Sequence, residues 1–291
     1  MKENRLQIEC ISKSYRKGNK KALDNVSLEL TSGIYGLLGP NGAGKSTLMN
    51  LLTDGIQADA GRIYYNGMDI RKMGSKYRAV LGYMPQQQGM YEEITAIRFL
   101  KYMAALKGLK SREVNEIIGN LLGKVGLENY GNRKIGTFSG GMKQRLLIAQ
   151  ALLGEPEILI MDEPTAGLDP NERIRLRNFV GEIAGDKIVI YATHVVSDIE
   201  SIAKEIILLN KGTVVCKGSV EELICQLNGN VYEVIVTQEE VEKYKSQYKV
   251  GNIYREHSNY VLRIVSKRMP EAKMCYEVQP NLEDLYLYQT S

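Results

Sequence analysis

The side chains best suited to chemistry fall in four stretches. Gly39-Pro40-Asn41-Gly42-Ala43-Gly44-Lys45-Ser46-Thr47 fits the pattern G-x-x-x-x-G-K-[ST] at every fixed position. Glycines there let backbone N–H groups turn inward around phosphate oxygens, and a helix starting behind them adds the positive end of its dipole. Lys45 supplies a point charge for β- and γ-phosphates, and the Ser46 hydroxyl can ligate Mg²⁺. The second stretch, Ile158-Leu159-Ile160-Met161-Asp162-Glu163, is an apolar run ending in two acids. A strand buried on both faces ends in paired carboxylates either for solvation or for chemistry. Beside a phosphate loop, Asp162 would hold a metal shell and Glu163 would orient or deprotonate an attacking water. The third stretch runs from Lys187 to Thr193 and ends in His194, one of only two histidines. A lone histidine is usually structural, yet the end of a strand in an open α/β sheet is where ligands bind. The fourth, Ser139-Gly140-Gly141-Met142, opens a helix and offers either an ordinary cap or backbone donors to an anion.

Positioning these residues takes strands and helices that the periodicity supplies. Ile34-Tyr35-Gly36-Leu37-Leu38 reads as the buried strand leading into the phosphate loop, and residues 47–52 as the helix behind it. Residues 5–10 and 22–30 alternate as half-buried strands, with a basic turn over 12–18 between them. Tyr15 in that turn is either a surface ring or a ring placed to stack on a base. A further strand closes at Asn66-Gly67, and a short one at 80–84 ends in Pro85-Gln86-Gln87-Gln88. From about 95 to 127 the period is helical, with Phe99, Met103, Leu106, Val114, Ile117, Ile118, Leu121 and Leu122 apolar. Residues 206–215 read as a hairpin with an Asn-Lys-Gly turn, and Ser219-Val220-Glu221-Glu222 as a capping box. Beyond Asn228-Gly229-Asn230, strands at 231–237, 260–265 and 274–278 and helices at 239–246 and 281–288 make a small α+β module. His257 falls in an exposed loop there.

Bulk properties narrow the classes. The 291 residues suffice for one large domain and a small one, and 44% hydrophobic with 25% charged residues is ordinary for a globular protein. A net charge of +4 fits contact with an anionic ligand or membrane surface and does not argue for nucleic acid as a main partner. No apolar run reaches the eighteen or so residues that span a bilayer, and the N-terminus lacks a signal-peptide core. Cys10, Cys216, Cys225 and Cys275 are scattered with no C-x-x-C pair, which reads as free thiols in a reducing cytosol.

Taken together and in order, these motifs resemble the nucleotide-binding subunits of ABC transporters over residues 5–218. Residues 39–47 match the Walker A loop, Gln86 the Q-loop, 139–142 the signature motif and 158–163 the Walker B strand with its acid. Gly167-Leu168-Asp169 matches the D-loop, His194 the switch histidine and Tyr15 the adenine-stacking aromatic. Many members carry Gln where this chain has Met142, but the Ser139 hydroxyl and the Gly140 and Gly141 backbone are retained. The neighbours Gln87 and Gln88 leave the Q-loop register open by a residue. The resemblance implies an α/β phosphate-loop core over 1–228 with an antiparallel β subdomain and a helical insert at about 87–155, followed by an accessory α+β module at 229–291.

The same resemblance implies a mechanism. Two copies, or a copy and a homologue, would close head to tail on two ATP–Mg²⁺, each nucleotide lying between one Walker loop and the partner's signature turn. Gly39 to Thr47 and Gln86 would hold phosphates and metal, Asp162 the metal shell, with Glu163 acting on water and His194 on the γ-phosphate. Asp169 would couple the two sites. A separate membrane permease, docked near Tyr91, Glu92 and Glu93, would hold the subunit at the cytoplasmic face of the membrane; no structural metal is implied. The module ending Pro280-Asn281-Leu282-Glu283-Asp284-Leu285-Tyr286 resembles subunits of ABC-2-type exporters. The competing class is a soluble ABC-type ATPase acting on ribosomes or DNA, but one Walker loop and no sustained heptads tell against it. A GTPase or small-molecule kinase lacks an Asn-Lys-x-Asp stretch and leaves the 139–142 turn unexplained.

Overall fold

A computed structural model describes residues 4–15, 21–86 and 89–290. Gln87, Gln88 and the residues 16–18 of the basic turn lie outside the described residues. The elements run β1 (Arg5–Ser14), β2 (Lys21–Thr31), β3 (Gly33–Leu38), α1 (Lys45–Leu52), β4 (Ala60–Tyr65), β5 (Met68–Asp69), α2 (Ile70–Met73), α3 (Ser75–Ala79) and β6 (Leu81–Met84). Then come α4 (Ala96–Leu106), α5 (Ser111–Lys124), α6 (Gly140–Ala151), β7 (Ile158–Asp162), α7 (Pro170–Ala184), β8 (Ile188–Thr193), β9 (Glu205–Asn210), β10 (Thr213–Gly218) and α8 (Val220–Cys225). The chain finishes with β11 (Val231–Val236), α9 (Val241–Gln247), β12 (Lys249–Glu256), β13 (Asn259–Val265), β14 (Cys275–Glu277) and α10 (Leu282–Thr290).

The central sheet has the order β10-β9-β3-β8-β7-β6, parallel throughout except for β10. Its middle strands β7 and β8 are buried at every residue, as continuous apolar runs must be when helices cover both faces. Beside it lies an antiparallel sheet, β2-β1-β4-β5, in which β4 and β5 join through Asn66 (φ 48) and Gly67 (φ 78). Positive φ at both turn residues is the geometry that suits tight hairpins and that Asn-Gly adopts readily. Helices α4, α5 and α6 form the helical insert. Thr95 caps α4 by accepting the Arg98 N–H, and Phe99, Leu100, Ile118, Leu122 and Leu146 pack into its core. Leu106, expected on the buried face, instead lies 67% exposed at the last residue of α4. The predicted capping box is present: the Ser219 hydroxyl accepts the Glu222 N–H while Glu222 accepts the Ser219 N–H.

The structure departs from the sequence reading in several places. Residues 12–14 continue β1 and do not belong to the basic turn. Helices α2 and α3, the long α7 and the strand β12 were not anticipated. The C-terminal sheet, β12-β13-β11-β14, is antiparallel and carries a small core of its own around Val234, Leu262 and Ile264. Val231, Val265, Leu282 and Leu285 belong instead to the buried cluster that contains Ile34 and Leu208 of the central sheet. The Arg263 guanidinium is paired with the buried Asp284 carboxylate at 2.8 Å, tying α10 to β13. All four cysteines are free thiols, and no helix among the described residues is long and apolar enough to cross a membrane.

Candidate nucleotide site

The C-terminal ends of the parallel strands open into a cavity of about 510 Å³. Tyr15, Lys21, Ala22, the loop from Pro40 to Thr47, Gln86, Asp162, Glu163, His194 and Lys211 line it. The phosphate loop leaves β3 and returns as α1. Gly44, at φ 110, approaches β2 so closely that a Cβ there would lie 2.5 Å from the Ala22 carbonyl oxygen. Only glycine takes this conformation and this approach without strain. Lys45 is buried, and its ammonium donates to the Gly39 carbonyl at 2.5 Å, so the charge is held inside the loop. Burial pushes the Lys45 pKa down while Glu163 and Asp162 counter it. Ser46, at the start of α1, is exposed to the cavity. The hydroxyl of Tyr15 lies 3.5 Å from that of Thr47, leaving the ring half exposed at the mouth.

Opposite the loop, β7 delivers the two acids. Asp162 accepts no hydrogen bond from a described residue, and burial together with the Glu163 charge raises its pKa to about 6 despite Lys45. Glu163 sits at φ 49, a left-handed conformation costly for a residue with a Cβ. Its carboxylate is held from β8, where Thr193 donates its hydroxyl at 3.2 Å and His194 Nδ1 lies 2.7 Å from Oε1. Thr193 is fully buried and also accepts the Val195 N–H at 3.0 Å, so the strand end is locked as a unit.

The remaining predicted residues lie elsewhere. Ser139 caps α6, accepting the Met142 N–H at 3.2 Å, with Gly140 and Gly141 in the first turn of that helix. Asp169 caps α7, accepting the Glu172 N–H at 2.9 Å. None of these four lines the cavity. Ser139, Gly140 and Asp169 are exposed. Four contributors escaped the sequence reading: Thr193, which buttresses Glu163, and Lys21, Ala22 and Lys211, which line the cavity. Lys211 was visible only as the odd residue of the Asn-Lys-Gly turn.

A phosphate loop at the end of one parallel strand, facing two acids and a histidine at the ends of its neighbours, defines a phosphate-loop nucleoside triphosphatase. The chain belongs to the ABC transporter family of ATP-binding proteins. The family's sequence profile, ABC transporter, matches residues 23–166. The chain is similar to the uncharacterized ABC transporter ATP-binding protein YxlF of Bacillus subtilis, 36% identical over 264 residues, 89% of this chain and 86% of that one. It is likewise 36% identical over 227 residues to the linearmycin resistance ATP-binding protein LnrL of the same organism, 77% of this chain and 72% of that one. A solved ATP-binding subunit of an ABC transporter matches with a TM-score of 0.68 at 29% identity, covering 76% of this chain and 92% of that one.

Proposed function

We propose that this chain binds ATP with Mg²⁺, hydrolyses it, and uses the cycle to drive export through a separate membrane permease. The observation that carries the reading is the Glu163 carboxylate, buried in the cavity across from Lys45 and fixed by Thr193 and His194. A general base must be oriented before its pKa matters, and here both carboxylate oxygens are engaged by the end of β8. Glu163 takes the proton from the attacking water, and His194 reports the γ-phosphate to it through their shared contact. Lys45 exchanges its bonds to the loop carbonyls for phosphate oxygens.

The residues fit a magnesium ion. Asp162, Ser46 and the Gln86 amide offer oxygen donors only, which suits a hard cation that keeps waters and phosphates in its shell. The ionised form of Asp162 is disfavoured by burial and by Glu163, a penalty that a bound dication would reverse. When bound, the ion neutralises charge developing on the β- and γ-phosphate oxygens.

Ser139, Gly140, Gly141 and Asp169 stand away from the cavity on exposed helix starts. This supports a second copy or a homologue completing each site, so that ATP closes the pair and hydrolysis loosens it, a ligand-driven population shift. A membrane-embedded partner then holds the subunit at the cytoplasmic face. Similarity to LnrL, a linearmycin resistance protein, supports export as the direction. Residues 229–291 serve as the accessory module. Glu163→Gln tests the reading: turnover should fall about 10²- to 10⁴-fold, the usual share of general-base catalysis, while ATP binding persists and a nucleotide-bound dimer accumulates on size exclusion. Wild-type turnover by the variant would refute the role.

A further inference from the structure

We propose that Lys211 anchors the α-phosphate of the nucleotide from the side of the phosphate loop opposite the hydrolytic residues; this rests on the ATP-binding reading above. Strand order sets the direction. His194 and the two acids follow β8 and β7 on one side of β3, whereas Lys211 follows β9 on the other. Lys211 lines the cavity, and Gly212 beside it packs against Ala22, next to Lys21, which pairs with Ser14 beside Tyr15.

The turn holding it is tied directly to the loop. The Gly212 N–H donates to the Ala43 carbonyl at 2.9 Å, and the Gly212 carbonyl accepts the Asp24 N–H at 2.8 Å. The Asn210 side chain donates to the Gln289 carbonyl of α10 at 3.1 Å. The chain contains its own control for the choice of residue. Lys211 and Gly212 (φ 48 and 83) repeat the backbone of Asn66 and Gly67 (φ 48 and 78), a turn remote from the cavity. Asn suits the left-handed position and Lys does not, so a lysine facing the cavity stands where local preference favours Asn.

Charge points the same way. Lys21 is paired with Asp24 at 2.8 Å, and Lys45 is held by the loop and faced by two acids. The Lys211 ammonium has no hydrogen bond or ion pair among the described residues, which leaves it available to a phosphate oxygen.

An anchor at the α-phosphate is present in ground and transition states alike, so it strengthens binding without altering the chemical step. Titration calorimetry of the purified full chain with ATP, ADP and AMP, together with steady-state ATPase kinetics, tests this. Lys211→Asn keeps the turn and removes the charge; Lys211→Arg keeps the charge. For Lys211→Asn the Kd should rise about tenfold for all three nucleotides, ~1.4 kcal/mol, with kcat unchanged, and Lys211→Arg should recover most of the affinity. Unchanged affinities, a loss confined to ATP, a loss sparing AMP, or a fall in kcat would each overturn the proposal. Failure of the unmodified protein to bind ATP would instead overturn the reading beneath it.

Discussion

Asp162→Asn should make the protein more stable in the absence of nucleotide while abolishing the magnesium-dependent turnover proposed above. Asp162 is 8% exposed, accepts no hydrogen bond from a described residue and lies beside Glu163, so its folded pKa of about 6 stands above the ordinary 3.8. An acid whose pKa rises on folding is destabilising once ionised. The penalty is absent below about pH 4, grows as pH rises towards 6 and is complete above it. The shift corresponds to ~3 kcal/mol without screening, and partial solvation of the site brings it to about 1–2 kcal/mol. For a chain of this size that is ~2–4 °C in Tm. Thermal unfolding followed by circular dichroism, in chelator and without nucleotide, should show the variant melting higher at pH 8, with the gain roughly halved at pH 5. Adding Mg²⁺ and ATP should raise the Tm of the parent more than that of the variant, which keeps the phosphate loop but lacks the carboxylate for the ion. A variant that melts at or below the parent at pH 8, or whose gain is the same at both pH values, would refute the reasoning.

Two further outcomes follow from buried charges. Lys45→Ala should abolish nucleotide binding by calorimetry while the circular dichroism spectrum is preserved, because among the described residues the ammonium donates only to the loop carbonyls of Gly39 and Pro40; full ATPase activity would remove the loop from the mechanism. Arg263→Met should cost about 3 kcal/mol in denaturant unfolding, since Asp284, 2% exposed, would lose its ion-pair partner and keep the Asn281 N–H. Asp284→Asn in the same background should recover much of that loss.

What could be read in the chain was what local chemistry dictates. The phosphate loop, the acid-tipped strand and the Ser219 box are each specified within a few residues, and all three lie where expected. The strand β12 escaped because Lys249-Val250-Gly251-Asn252-Ile253-Tyr254-Arg255-Glu256 is an edge strand, largely exposed, with a register shift between Val250 and Asn252. Its alternation is broken where a bulge was required. Helix α7 begins with a good cap, Asp169-Pro170, but Arg173, Arg175 and Arg177 crowd its sequence and dilute the apolar face formed by Leu176, Val180 and Ala184. The grip of Thr193 on Glu163 and the arrival of Lys211 at the cavity depend on which strands neighbour each other. No periodicity within a strand encodes that.

The shared burial of Val231, Val265, Leu282 and Leu285 with Ile34 and Leu208 carries a consequence for how the protein melts. Apolar side chains from the last sixty residues and from the strand beneath the phosphate loop are withdrawn from water together, and the Asn210–Gln289 bond joins the same regions at the edge of the cavity. Removing residues 229–291 would therefore strip an apolar face of the central sheet bare, an invitation to aggregate. The C-terminal module keeps a small core around Val234 and Leu262, but its stability is linked to that of the central sheet through this shared apolar face.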